Sequence, residues 1–184
     1  MRSFVALEVP EPLRTALLDA QEVVPVGRGV PEENLHVTLA FLGDQPDAVL
    51  EELHRALGDR PLPACRLKVE GVETYGGRIP RLIAAELARD PGLLALHGAV
   101  HRAARAAGID MPRERFRPHV TLVRFGSGIR KADRPRLRRA LDELAGLATA
   151  PVAGEAVTLY RSHRTSDGAI HDPLARYALG TAPA

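Results

Sequence analysis

The sequence predicts an α+β fold that is bilobal and pseudo-symmetric. Antiparallel or mixed sheets line a central cleft, and helices pack outside them. Two observations carry this expectation. First, His36-Val37-Thr38-Leu39 recurs as His119-Val120-Thr121-Leu122, and each copy runs on to a matching glycine, Gly43 or Gly126. Second, short apolar-alternating segments and amphipathic segments follow one another in a similar order in each half, without a linker or a low-complexity stretch.

Ser3–Val9 alternates as a strand. Pro10 and Pro12 end it and open a helix with Leu13, Leu17, Ala20 and Val24 on one stripe. Pro25–Pro31 reads as a glycine-rich turn. Leu35–Leu42 is the first motif strand; its pleat sends His36 and Thr38 to one face and Leu35, Val37, Leu39 and Phe41 to the other. Asp44 and Pro46 start a second helix, carried by Val49, Leu53 and Leu57 and closed at Gly58. Arg66–Thr74 and Arg81–Leu87 form a strand pair around a glycine-containing loop. Asp90-Pro91 caps a third helix that stops at Gly108. A basic lead-in, Met111–Pro118, precedes the second motif strand. Asp133 and Pro135 open a fourth helix, with Leu137, Leu141 and Leu144 on its stripe. Ala156–Tyr160 and Leu174–Leu179 are the final strands, with a polar loop from Arg161 to Asp172.

The 184 residues suit one domain, spanning 1–184, built of two intertwined lobes. A hydrophobic fraction of 45% beside 26% charged residues is that of a globular chain, and no apolar run is long enough to cross a bilayer. The single cysteine, Cys65, has no internal partner and reads as a buried, inert thiol; a cytoplasmic monomer is the expectation. Charge is uneven. Residues 1–60 hold five arginines against eleven acidic residues, whereas residues 101–140 hold twelve Arg or Lys against three acidic residues. A basic half suits a phosphate-bearing partner, and a solvated arginine-rich surface explains it equally well.

Each motif strand thus offers one proton-transfer group and one hydroxyl on a single face. Brought together around one phosphate, two such walls supply an acid, a base and two donors to the non-bridging oxygens. Histidine suits both proton roles because its unperturbed pKa is about 6.5. A well-placed acid or base contributes roughly 10²–10⁴-fold. Opening a cyclic phosphodiester in this way needs neither a metal nor a cofactor.

The chain resembles the two-histidine phosphoesterase superfamily, and within it the bacterial and archaeal RNA 2′,3′-cyclic phosphodiesterases, historically called 2′-5′ RNA ligases. The matching segments are Arg2–Leu7, Glu33–Gly43, Gly77–Leu82 and Phe116–Arg124, which together span most of the chain. The resemblance implies metal-independent opening of an RNA terminal 2′,3′-cyclic phosphate to a 2′-phosphate. His36 would then protonate the leaving 3′ oxygen, and His119 would activate water. Thr38 and Thr121 would hold phosphate oxygens. Arg124 matches a family arginine that approaches the phosphate. Strand parity turns it away from His119 unless the strand bulges before Gly126. The same site run backwards would join a 5′-hydroxyl to a cyclic phosphate without ATP. The expected partner is RNA with a 2′,3′-cyclic end, or a related nucleotide.

Two other readings stay open on the sequence. One is a non-catalytic nucleotide or RNA-end binding module. The other is a phosphodiesterase for a small cyclic metabolite. His97 and His101 are four apart on a helix, a possible metal pair, but no carboxylate completes a ligand spacing and a helix-surface role is favoured. His54, His163 and His171 are assigned no catalytic role.

Overall fold

A computed structural model describes residues 1–112, 115–165 and 168–180. Among the described residues, ten strands and four helices follow one another in the order β1 (Arg2–Glu8), α1 (Glu11–Glu22), β2 (Arg28–Gly29), β3 (His36–Asp44), α2 (Asp47–Gly58), β4 (Arg66–Leu67), β5 (Val69–Tyr75), β6 (Leu82–Leu87), α3 (Pro91–Ala106), β7 (His119–Arg124), α4 (Arg134–Glu143), β8 (Val152–Ala153), β9 (Ala156–Thr165) and β10 (Gly168–Ala178). The large sheet runs β10-β9-β1-β3-β7-β6-β5, with β2 added against β7. Every strand pair in it is antiparallel.

The two halves meet where the motif strands meet. β3 and β7 pair through Val37 and Val120. Each motif strand is backed on its other side by a strand of its own half, β1 for β3 and β6 for β7. The lobes are therefore two halves of one continuous sheet. The helices cross this seam: α1, from the first half, packs on β7, and α3, from the second, packs on β3. Leu13 and Leu17 of α1 and Leu93 and Leu96 of α3 are fully buried in the same core as Val37, Val120 and Leu122. Asp90 caps α3 as its sequence suggests, its carboxylate accepting from the Leu93 N–H at 2.9 Å.

Three sequence expectations change. Most of the polar stretch expected as a loop is strand: β9 runs on to Thr165 and β10 starts at Gly168, with Ser162 opposite His171 and Arg161 opposite Asp172. Backbone pairing in an antiparallel ladder does not require apolar side chains where the surface meets solvent. The Pro25–Pro31 turn contains the short strand β2. Phe41 does not face the core: it is 72% exposed, whereas Ala40 and Leu42 are buried. The pleat breaks at Leu39, which has no partner on β1, since Val5 faces Ala40 and Ala6 faces Thr38. That extra residue is a β-bulge, and it turns Phe41 to the opposite face; a second register shift follows at Leu42, since Phe4 faces Phe41 and Ser3 faces Gly43.

The matching glycines of the repeat also have a local reason. Gly43 and Gly126 take φ of +70° and +57°, a left-handed backbone that other residues rarely adopt. Cys65 is buried, and burial together with the nearby Asp90 charge pushes its thiol up to about 12, which keeps it protonated and inert.

Candidate active site

The register across the seam places the four motif side chains. Val37 lies opposite Val120, and both are fully buried. Continuing this antiparallel register one residue each way sets His36 across from Thr121 and Thr38 across from His119. All four side chains are half-buried on the face away from the core. The structure thus brings His36, Thr38, His119 and Thr121 onto one patch of one sheet.

Both histidines are held in the same way. Nδ1 of His36 donates to the Asn34 carbonyl at 2.7 Å, and Nδ1 of His119 donates to the Arg117 carbonyl at 2.8 Å. A carbonyl only accepts, so Nδ1 carries the hydrogen in each ring and Nε2 is left for a ligand. Neutral, that Nε2 is a proton acceptor; charged, it is a proton donor.

Arg124 joins them. β7 carries the same irregularity as β3: Ile83 faces Val123 and Ala84 faces Thr121, which leaves Leu122 as the extra residue. Leu122 and Val123 are both buried, and Arg124 turns out to the face of His119 and Thr121. The burial sequence of the first six residues of β3 is repeated residue for residue in β7. The parity objection to Arg124 is removed by a bulge in the strand itself. Partial desolvation draws the Arg124 guanidinium below its ordinary pKa, and its charge acts on both His36 and His171.

Each histidine rests against an aromatic ring. Phe4 lies 5.0 Å from the His36 ring, and Tyr75 stacks on His119 at 4.9 Å. Tyr160 stacks on the far side of this first cluster, 5.1 Å from Phe4. Around Tyr75, Glu86 accepts from the tyrosine hydroxyl and from Arg117, whose guanidinium sits 4.7 Å over the ring. Burial, and then the Glu86 charge, hold the Tyr75 hydroxyl well above its usual range.

The sequence gives His171 no catalytic role, because the polar stretch around it predicts a loop. The extended hairpin brings its ring to 5.4 Å from His36 and 4.8 Å from Phe4. Arg28 stands directly opposite Arg124 across the β2–β7 pair and so shares its face. Phe4 carries no local mark of this contact; β1 pairs it with Phe41 on β3 and Tyr160 on β9, and its ring reaches the His36 ring from there.

His36 is the electrostatically unusual member. Burial is the largest influence on it and, with the charges of His171, Arg124 and His119, lowers its pKa to about 4; the Asn34 carbonyl opposes this. The other histidines lie elsewhere. His54 bonds the Tyr177 hydroxyl at 2.9 Å, and His163 pairs with Asp172 at 2.8 Å. His97 stacks on Phe116, ring centroids 4.0 Å apart, while His101 reaches the Leu39 carbonyl. Among the described residues, no three His, Cys, Asp or Glu side chains group as metal ligands.

A family model described as the 2′-5′ RNA ligase superfamily matches residues 9–166. The chain belongs to that superfamily. A Thermus thermophilus relative named RNA 2′,3′-cyclic phosphodiesterase is 36% identical, over 97% of this chain and 90% of its own length. An Escherichia coli relative of the same name is 31% identical over 68% of this chain and 73% of its own. Among solved structures, a Thermus thermophilus protein superposes with a TM-score of 0.78 at 27% identity, covering 97% of this chain and 98% of that one. E. coli LigT complexed with NADP+ superposes with a TM-score of 0.72 at 25% identity, covering 97% of each chain. These neighbours share the α+β architecture with its large antiparallel sheet, and no described helix is long and apolar enough to cross a membrane.

Proposed function

We propose that this superfamily member is an RNA 2′,3′-cyclic phosphodiesterase whose His36 and His119 act as an acid–base pair without a metal. The observation that carries the reading is the register at Val37–Val120, which sets two His–Thr pairs head to tail on one face of the sheet. The name shared by the relatives supports the substrate class.

In this reading the cyclic phosphate lies between the strands. His119 Nε2 takes a proton from water as the water oxygen bonds to phosphorus. The P–O3′ bond breaks, and His36 Nε2 delivers a proton to the 3′ oxygen. The product is a 2′-phosphate beside a free 3′-hydroxyl. The hydroxyls of Thr38 and Thr121 donate to the non-bridging oxygens, and Arg124 balances the charge that gathers there. His36 is neutral in the free protein, so this role requires that substrate binding raise its pKa. An arriving phosphate anion offsets the positive charges of His171 and Arg124 and lets His36 take up the proton it later gives away. Exposed Phe41, 6.3 Å from Phe4, offers the terminal base an aromatic platform on the same face. Run in reverse, the site would join a 5′-hydroxyl to the cyclic end without ATP.

The deciding experiment is product analysis on an oligonucleotide ending in a 2′,3′-cyclic phosphate, with and without a chelator. A 2′-phosphate product, unaffected by the chelator and lost in the His36→Ala, His119→Ala double variant, supports the reading. A 3′-phosphate product, or full activity in the double variant, overturns it.

A further inference from the structure

The bulges at Leu39 and Leu122 leave a structural question open: what fixes them. A bulge interrupts the ladder, and a buried carbonyl left without a donor is costly. Both carbonyls find a donor from outside the sheet. Leu122 O accepts from Gln21 Nε2 of α1 at 2.8 Å, and also from the Val30 N–H at 2.8 Å. The same Gln21 nitrogen donates to Val30 O at 2.9 Å, so it ties the end of β2 to the bulge of β7. Leu39 O accepts from His101 Nε2 of α3 at 3.0 Å.

The arrangement is pseudo-symmetric and crosses the seam. A helix of the first half holds the motif strand of the second, and a helix of the second half holds the motif strand of the first. Gly29 leaves space for Gln21: a Cβ there would sit 2.9 Å from the Gln21 carboxamide and push it aside. The His101 ring lies 4.0 Å from His97, which itself stacks on Phe116 in the lead-in to His119. Because a carbonyl only accepts, His101 is fixed with its hydrogen on Nε2.

We propose that Gln21 and His101 are positioning residues: each holds the bulge carbonyl of a motif strand so that the residue two places on, Arg124 or Phe41, is aimed into the cleft. Neither touches the substrate. Without the bulge, the strict two-residue pleat would turn Arg124 to the helix side, away from His119. The repeat then encodes more than a His and a Thr. It also encodes a break in the pleat, set by a side chain from the opposite half.

The inference rests on the phosphodiesterase reading, and one set of kinetics separates the two. The substrate is a cyclic-ended oligonucleotide at pH 7, and the variants are Gln21→Met and His101→Met, which remove the donor at similar length, together with His101→Gln, which keeps an N–H near the same place. The expected loss of kcat/KM is on the order of tenfold for each donor-less variant. Gln21→Met should cost nothing further in an Arg124→Ala background, nor His101→Met in a Phe41→Ala background, and His101→Gln should recover most of the loss. Wild-type kcat/KM in both donor-less variants overturns the inference, as do losses that multiply with those of Arg124→Ala and Phe41→Ala. Failure of both donor-less variants to fold overturns it too, because the two side chains would then be requirements of the fold. A wild-type chain that leaves the substrate intact overturns the activity reading instead. The Gln21–Arg124 cycle is then read on inorganic phosphate affinity by calorimetry, where losses that multiply overturn the inference.

Discussion

Val37 lies opposite Val120, and this pairing joins β3 to β7 at the seam between the two halves of the sheet. It also fixes the order His36–Thr121 and Thr38–His119 around the cleft. The two threonines are therefore equivalent by position, each facing the histidine of the other strand. Thr38→Val and Thr121→Val should each lower kcat/KM by roughly tenfold to a hundredfold, the effect of losing one hydrogen bond to a charged oxygen. Valine suits a half-buried strand position, so thermal melts should show no loss of stability. Unequal effects, with one threonine silent, would argue against a shared phosphate.

Arg124 is exposed and makes no contribution to the core, yet the bulge aims it at the cleft. Arg124→Ala should leave the melting temperature close to wild type while lowering kcat/KM by about tenfold to a hundredfold. Arg124→Lys should recover part of that loss, since a point charge cannot reproduce a two-pronged contact. Steady-state kinetics on the cyclic-ended oligonucleotide, beside melts, checks both statements.

In the free protein, burial and the neighbouring cations disfavour the charge of His36 and lower its pKa to about 4. Binding a phosphate adds a negative charge beside it, so its pKa should rise. NMR titration of the His36 ring should show a midpoint near 4 in the free protein and a higher one with a nucleotide 2′-phosphate bound. By linkage, the protonation of His36 should tighten binding of that ligand as the pH falls through the bound-state pKa toward about 4. A midpoint unmoved by the ligand would place the phosphate elsewhere.

His36 and His97 both titrate near 4 in the fold, against about 6.5 in an unfolded chain. Between those values the unfolded state binds more protons, so stability falls as the pH drops from about 6.5 to about 4. His101 and His171 are shifted in the same direction and add to the effect. Urea melts at pH 7 and pH 5 should show the lower stability at pH 5, and His97→Phe should flatten the dependence. Equal stability at the two pH values would count against the buried neutral state of these rings.

Phe41 is exposed beside Phe4 on the cleft face. Phe41→Ala should raise KM for the cyclic-ended oligonucleotide by roughly fivefold or more, in line with the loss of one base–aromatic stack. Because little of the ring is buried, the melting temperature should barely move. An unchanged KM would remove Phe41 from the substrate path.

Much of this protein was determined by short-range pattern. The apolar stripes set the four helices, Asp90-Pro91 opened α3, and the two-residue pleat put each His and Thr on one face with Val between them. Those features depend on neighbours a few residues apart, which is what periodicity reports. The tertiary structure decided the rest, because it depends on partners far along the chain. At the breaks beside Leu39 and Leu122 the carbonyl is taken up by His101 or Gln21, 62 and 101 residues away. Those breaks turn Phe41 and Arg124 outward against the parity read from the sequence. The polar residues Arg161–Thr165 and Gly168–Asp172 are strand because their backbones found a ladder, and this carried His171 to the side of His36. A side chain's face follows from its own strand; whether that strand stays in register is settled by what lies across it.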